Sequence, residues 1–125
     1  MSIVHNAELP RAAIPGIDHV TLACEQNGLR SLSVWQQRIA PGQASPPHRH
    51  DCEEVVIVQS GRGELHIEGR IERFGANTTL IVPPNVPHQI FNVGDEPMDL
   101  IAVLSVTPVR VELPDGQPLP LPWVS

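Results

Sequence analysis

Residues 42–61 of this chain read GQASPPHRHDCEEVVIVQSG and bring two histidines and a carboxylate close together in sequence. His48 and His50 are two positions apart, so both imidazoles would point to the same face of a β-strand. Glu54 follows across a short polar loop, just before an apolar run. Two imidazoles and a carboxylate that converge from one strand-loop-strand unit are a ligand set for a divalent transition metal. An isolated His-x-His more often lies on a solvated polar edge, and for these residues alone both interpretations stand.

A further histidine downstream favours the metal interpretation. Residues 83–87 (Pro-Pro-Asn-Val-Pro) form a rigid turn that leads directly into His88. The next residues alternate, so that His88, Ile90 and Asn92 share one face of a predicted strand. His66 alternates with apolar neighbours in a different short strand, and we expect it at the surface.

The bulk composition favours one small domain over residues 1–125 and excludes some partners. The net charge of −6 argues against nucleic acid, which requires a basic face. No stretch is long and apolar enough to predict a membrane span. The start of the chain lacks the basic flank and apolar run of a secretory signal, and the two cysteines form no disulfide framework. A cytoplasmic location with free thiols is therefore expected.

Turn signals divide the chain into short strands. With 14 prolines, long helices are excluded, and the pattern predicts about ten strands in an all-β sandwich or barrel. The pair Ile3-Val4 is a candidate edge strand. The continuous run over residues 54–59 predicts a strand buried on both faces. Gln37, on the apolar face of a strand over residues 29–39, is either a pocket residue or an edge position. The Pro-rich tail, residues 107–125, is too apolar to be disordered and should lie on the barrel or on a partner subunit.

The joint spacing of these residues resembles the two motifs of the cupin superfamily. The first, G-x5-H-x-H-x3-E-x6-G, is matched without a gap by Gly42, His48, His50, Glu54 and Gly61. The second, G-x5-P-x-G-x2-H-x3-N, is matched by Pro83, His88 and Asn92, with Asn77 and Asn85 at its two glycine positions. Asn tolerates the left-handed backbone better than other non-glycine residues, so both turns can survive the change. The resemblance covers roughly residues 30–106.

The resemblance implies a double-stranded β-helix, or jelly roll, that holds one metal in its mouth. The ligands carried over from the family are His48, His50, Glu54 and His88. Glu53 competes with Glu54, but the motif spacing and the strand parity favour Glu54. Such a donor set accepts several divalent ions. Iron is preferred here for the reaction considered below, and Mn, Ni, Zn, Cu and Co also fit.

An apolar pocket is expected around the metal. Its candidate wall residues are Trp35, Val56, Val58, Ile90, Phe91, Leu100 and Ala102. Asn92 is expected to support the turn near His88 or to lie beside the ligands. Gln37 and, less directly, Arg38 are the candidates for contact with a substrate. Cys52, in the ligand loop, is either a functional thiol or a packed small residue, and packing is favoured.

Three functions follow from the resemblance. The leading hypothesis is a metal-dependent oxygenase (dioxygenase-like) that acts on a small chelating organic substrate such as an enol, a diketone or a catechol. A non-oxidative lyase or isomerase that acts on a small keto or sugar-derived acid is the second. A ligand-binding or sensing module without turnover is the third, because the fold alone does not decide function. A homodimer is expected, with the sheet edges covered across a two-fold axis.

Overall fold

The computed structural model describes residues 2–125, and short strands account for almost all of its regular structure. The strands of this part of the chain are β1 (Arg11–Ile14), β2 (Ile17–Ala23), β3 (Ser33–Ile39), β4 (Glu54–Ser60), β5 (Gly63–Ile67), β6 (Arg70–Phe74), β7 (Thr78–Val82), β8 (His88–Asn92) and β9 (Met98–Leu104). Two single 3-10 turns, Asn6–Glu8 and Glu25–Asn27, are the remaining regular elements. Over residues 2–125, no helix has the length and apolar character required to cross a membrane.

The strands form two sheets, and every neighbouring pair is antiparallel. The larger sheet has the order β1-β2-β3-β9-β4-β7, and the smaller sheet has the order β6-β5-β8. In the larger sheet β9 pairs with both β3 and β4, and in the smaller sheet β8 pairs with β5. The chain therefore passes back and forth between the two sheets. The inward-facing side chains pack into one apolar core. The predicted all-β jelly roll is confirmed.

The first strand differs from the prediction. Ile3 is exposed, and β1 forms the sheet edge instead. Pro15-Gly16 makes the tight turn of a hairpin in which Ile14 pairs with Ile17. Gly16 has φ +79°, and a Cβ there would lie 2.7 Å from the Gln43 side chain. The turn thus needs both the fixed φ of proline and the freedom of glycine.

The strand that follows the ligand loop is buried on one face only. In β4, Val56 and Val58 are almost fully buried, whereas Ile57 is 42% exposed. The expectation of burial on both faces is wrong, because no second layer of residues 2–125 covers the outer face of the larger sheet. The inward face carries Glu54, Val56 and Val58, in accordance with the period of two along a strand.

The C-terminal segment, residues 107–125, lies against its own barrel. The Arg49 N–H donates to the Glu112 carbonyl oxygen over 2.8 Å, and the reverse bond measures 3.0 Å. Leu119 N–H donates to the Val111 carbonyl oxygen over 2.8 Å, which folds the segment back on itself. Of the two places expected for this tail, it occupies the barrel surface.

The two asparagines at glycine positions of the second motif both adopt the left-handed conformation, with φ of 60° for Asn77 and 63° for Asn85. We therefore expect Asn85→Gly to leave stability nearly unchanged. Asn85→Val should lower the free energy of unfolding by about 1–2 kcal/mol, because a β-branched side chain is strained there. Urea denaturation measures both, with Thr79→Val on an exposed strand position as the control. Equal midpoints for Asn85→Val and the unchanged protein would contradict this prediction.

Candidate metal centre

Three histidines meet at one end of the barrel. The ligand atoms of His48, His50 and His88 all lie within 4.8 Å of one another. His48 and His88 are held together by two backbone hydrogen bonds, of 3.1 and 2.9 Å, that bridge the ligand loop to the start of β8. His50 follows two residues after His48 and is 2% exposed. The fold thus brings the first motif, which holds His48 and His50, next to the second motif, which holds His88.

Backbone carbonyls fix the orientation of all three imidazoles. Each Nδ1 lies 2.7–3.0 Å from a carbonyl oxygen: His48 from Pro46, His50 from Arg110 and His88 from Val86. A carbonyl can only accept, so each Nδ1 carries a proton and donates it. In the neutral ring, the Nε2 lone pair is then free for a metal, which is the usual arrangement in histidine metal sites.

Glu54 lies beside the histidines, whereas Glu53 lies at the surface. The Glu54 side chain is 7% exposed, and its Oε1 is 3.2 Å from His88 Nε2 and 3.8 Å from His50 Nε2. Glu53 is exposed because adjacent residues of a strand point to opposite faces. The position of Glu54 matches the family spacing.

These donors fit a divalent transition metal. His50 Nε2, His88 Nε2 and Glu54 Oε1 are buried and have no hydrogen-bond partner among residues 2–125. A buried polar atom without a partner is costly. One cation in contact with these atoms would satisfy them together, and imidazole nitrogen with carboxylate oxygen is a donor set for first-row transition metals.

Burial and mutual proximity set the protonation of the cluster. Burial lowers the pKa of His48 to about 4. Burial opposes the charged form of Glu54, yet the adjacent histidines hold the pKa of its carboxyl below the usual value. Burial likewise opposes a charged His88, and Glu54 more than offsets this and raises the pKa of the imidazole. The cluster thus favours a charged carboxylate, as metal binding requires.

The three histidines and Glu54 border a small apolar cavity of about 40 Å³. Of the predicted wall residues, Trp35, Val56, Ile90, Leu100 and Ala102 line it. Val58 packs in the core instead. The expectation that Phe91 lines the cavity is wrong. Phe91 has the opposite parity to His88 and Ile90, and its ring lies on the outside, with 4.2 Å between its centroid and that of His66.

The two residues that were expected to contact a substrate, Gln37 and Arg38, lie on opposite faces of β3. Gln37 lines the cavity, so of the two positions left open for it the pocket position is the one observed. Arg38 points to the opposite face, where its Nε donates to Asp99 Oδ1 over 2.7 Å. The expectation that Arg38 anchors a substrate is therefore wrong, because alternation places it outside the barrel.

Asn92 and Cys52 are packed, and neither lines the cavity. Asn92 is 2% exposed, and its side chain holds the backbone of the loop after β8. Cys52 is a buried free cysteine. Burial raises the pKa of its thiol to about 11, so it stays protonated and unreactive at neutral pH.

Part of the site was not anticipated. Ile14, Ile17, Val111, Leu119, Leu121 and Trp123 also line the cavity. The last four belong to the C-terminal segment, and the carbonyl that orients His50 comes from Arg110 in the same segment. Apolar residues between the tail prolines were a signal that the tail packs somewhere, but they carried no information on the site that it covers.

Known proteins share this fold and sequence pattern. A cupin domain family model matches residues 35–104. Auxin-binding protein 1 from Arabidopsis thaliana is 34% identical over 107 residues, which cover 78% of this chain and 54% of that protein. Auxin-binding protein T85 from Nicotiana tabacum is 33% identical, over 96% of this chain and 72% of the relative. The polyketide cyclase RemF from Streptomyces resistomycificus superposes with a TM-score of 0.73 at 21% identity, covering 87% of this chain and 83% of the cyclase. At that identity, the likeness is one of fold alone.

Proposed function

The chain belongs to the cupin family, and we propose that it holds one divalent transition metal through His48, His50, Glu54 and His88 and captures a small organic molecule at that metal. The observation that carries the proposal is a group of buried ligand atoms that have no hydrogen-bond partner within residues 2–125 and that border one apolar cavity. The bound metal would supply a Lewis acid and an anchor for an oxygen atom of the ligand.

The cavity wall indicates the kind of ligand. Its lining is mostly aliphatic and aromatic, so the body of the ligand should be apolar, with a carboxylate, enol or carbonyl oxygen directed to the metal. The indole nitrogens of Trp35 and Trp123 are buried and have no hydrogen-bond partner in the described part of the chain, so they could donate to a second oxygen. The names of the sequence relatives state that they bind auxin, and an auxin is therefore a rational first probe.

Dioxygen chemistry on a chelating substrate, with iron as the metal, is the catalytic candidate. Within residues 2–125, the titratable side chains that line the cavity are the four candidate ligands themselves. A lyase or isomerase would need an additional acid or base near the substrate, so this arrangement does not favour one. An oxygenase and a binding module both need only the metal, an apolar wall and an opening through which the small molecule reaches the cavity.

Metal-dependent binding tests the proposal. Protein purified without a polyhistidine tag and loaded with Fe(II) or Zn(II) should bind indole-3-acetic acid in isothermal titration calorimetry, whereas metal-free protein should not. Indole, which has the same ring but no carboxylate, is the matched control and should bind weakly or not at all. Equal binding of indole-3-acetic acid with and without metal would refute the proposal.

Oxygen uptake then separates the two candidates. The Fe(II) protein is mixed anaerobically with acetylacetone or catechol and exposed to dioxygen in an oxygen electrode. Uptake that is lost in His48→Ala would establish an oxygenase. Metal-dependent ligand binding without uptake would favour the module without turnover.

The proposal includes a cytoplasmic homodimer. Cys24 and Cys52 are free and buried, which suits a reducing compartment. The outer face of the larger sheet presents an apolar cross-strand row, in which Val34 pairs with Val103, Val103 with Val55 and Val55 with Ile81. No other part of residues 2–125 covers this row, so it could pack against a second copy of the chain. The C-terminal segment gives less support for a dimer, since it packs on its own barrel. A light-scattering mass of one chain would contradict the dimer.

A further inference from the structure

The C-terminal segment forms the cover of the cavity. Val111, Leu119, Leu121 and Trp123 line it together with the residues of the β-strands. In contrast to the sheet walls, which are joined by continuous ladders, this cover is held by a few isolated hydrogen bonds. It is therefore the part of the wall that can open at the least cost.

A buried histidine outside the metal centre lies beneath the end of this cover. His19, in β2, is 2% exposed. Its ring stacks on Trp123 with 3.7 Å between centroids and an interplanar angle of 8°. Its Nε2 lies 2.7 Å from Thr21 Oγ1, and its Nδ1 lies 3.1 Å from Gln37 Nε2.

The protons of this network can be assigned. Thr21 Oγ1 donates its single proton to the Val124 carbonyl oxygen over 2.7 Å. The hydroxyl can then only accept from His19, so His19 Nε2 carries a proton and its Nδ1 accepts from the Gln37 amide. The ring is therefore neutral, and burial lowers its pKa to about 4, in accordance with this assignment. His19 thus connects Trp123 and Val124 of the cover to Gln37 of the opposite wall.

We propose that His19 is a positioning residue that holds the C-terminal segment closed, and that ligands reach the metal where residues 119–125 lift away. The inference rests on the proposed function, since it concerns access to that same cavity. At about 40 Å³, the cavity is much smaller than a typical ligand pocket of roughly 300–1,000 Å³. A larger ligand would therefore need a wall to move, and the network at His19 is one attachment of the C-terminal wall at its far end.

Two substitutions separate this role from a general effect on folding. His19→Asn removes the stacking surface for Trp123. Thr21→Val is close to isosteric at a partly exposed strand position and removes the hydroxyl that joins His19 to Val124, while the His19 ring stays in place. His66→Asn, a histidine substitution on the outer face of the smaller sheet, is the matched control.

The first readout is hydrogen exchange, which requires neither metal nor ligand. Amides of Val109 and Leu119 should exchange about tenfold faster in both variants, because each loses an attachment of the cover. Amides of β3 and β9 should keep their protection, which shows that the barrel is intact. If His19→Asn does not fold, hydrogen exchange in Thr21→Val tests the proposal. Unchanged exchange at Leu119 in Thr21→Val would overturn the proposal.

The second readout is the rate at which excess EDTA strips Zn(II) from the loaded protein. The variants should lose metal about tenfold faster than the unchanged protein and His66→Asn, with the same metal content before EDTA is added. Equal rates in all four proteins would also overturn the proposal. If faster exchange and metal loss are found but indole-3-acetic acid never binds, the role of His19 stands and the proposed ligand capture fails.

Discussion

Replacement of His88 by alanine should remove the metal from the purified protein. The substitution deletes one of three converging imidazoles and leaves Glu54 buried beside an empty space. Loss of a partner that merely orients a ligand costs about 10–100-fold in metal affinity, and loss of a ligand itself should exceed that. Elemental analysis should thus fall from about one metal per chain to a trace, with the same result for His48→Ala.

Matched substitutions make this test specific. His66→Ala changes a histidine on the outer face and should keep the full metal content. Glu54→Gln should weaken metal binding strongly, whereas Glu53→Gln, one residue away and exposed, should leave it unchanged. Full metal content in both His48→Ala and His88→Ala would show that these residues do not form a metal site.

Asn92→Ala should give the largest loss of stability among the polar substitutions considered. Asn92 Nδ2 donates to the carbonyl oxygens of Ile39 (3.0 Å) and Glu96 (2.8 Å), and Oδ1 accepts from Gly94 N–H at 2.9 Å. Alanine would leave three backbone groups without this partner, of which the Ile39 carbonyl is buried and the other two are partly buried. An unsatisfied buried group costs about 1–3 kcal/mol. A total of about 3–5 kcal/mol is expected, which is a large part of a typical free energy of unfolding, about 5–15 kcal/mol.

Urea denaturation of the metal-free protein measures this loss, and Gln89→Ala is the control. Gln89 lies in the same strand but is only partly buried, so its replacement should change the free energy of unfolding by about 0.5 kcal/mol or less. The metal content per folded Asn92→Ala molecule should be unchanged, because Asn92 holds a loop and does not line the cavity. A loss below about 1 kcal/mol would mean that the loop finds other partners.

Several features of the site were predictable because they depend on local geometry. Strand alternation separated Glu54 from Glu53 and directed Gln37 inward. The same rule could have placed Phe91 and Arg38 outside the pocket, and those two expectations failed because apolar character and charge were given more weight than parity. Burial of β4 on both faces failed for another reason. A run of β-branched residues indicates that the segment forms a strand, but it does not indicate whether a second layer covers that strand.

By itself, the sequence predicted an all-β sandwich or barrel and the asparagine turns, because these follow from turn signals, backbone conformation and the period of two along a strand. Its resemblance to the cupin motifs implied the jelly roll and the ligands His48, His50, Glu54 and His88. Only the tertiary structure decided what surrounds these ligands. It joined the Arg110 carbonyl to His50, stacked Trp123 on His19, more than a hundred positions away, and closed the cavity with the C-terminal segment. Such contacts depend on where a distant, irregular segment returns to the barrel. No local periodicity encodes that path, because prolines interrupt the regular backbone pattern on which a local prediction depends.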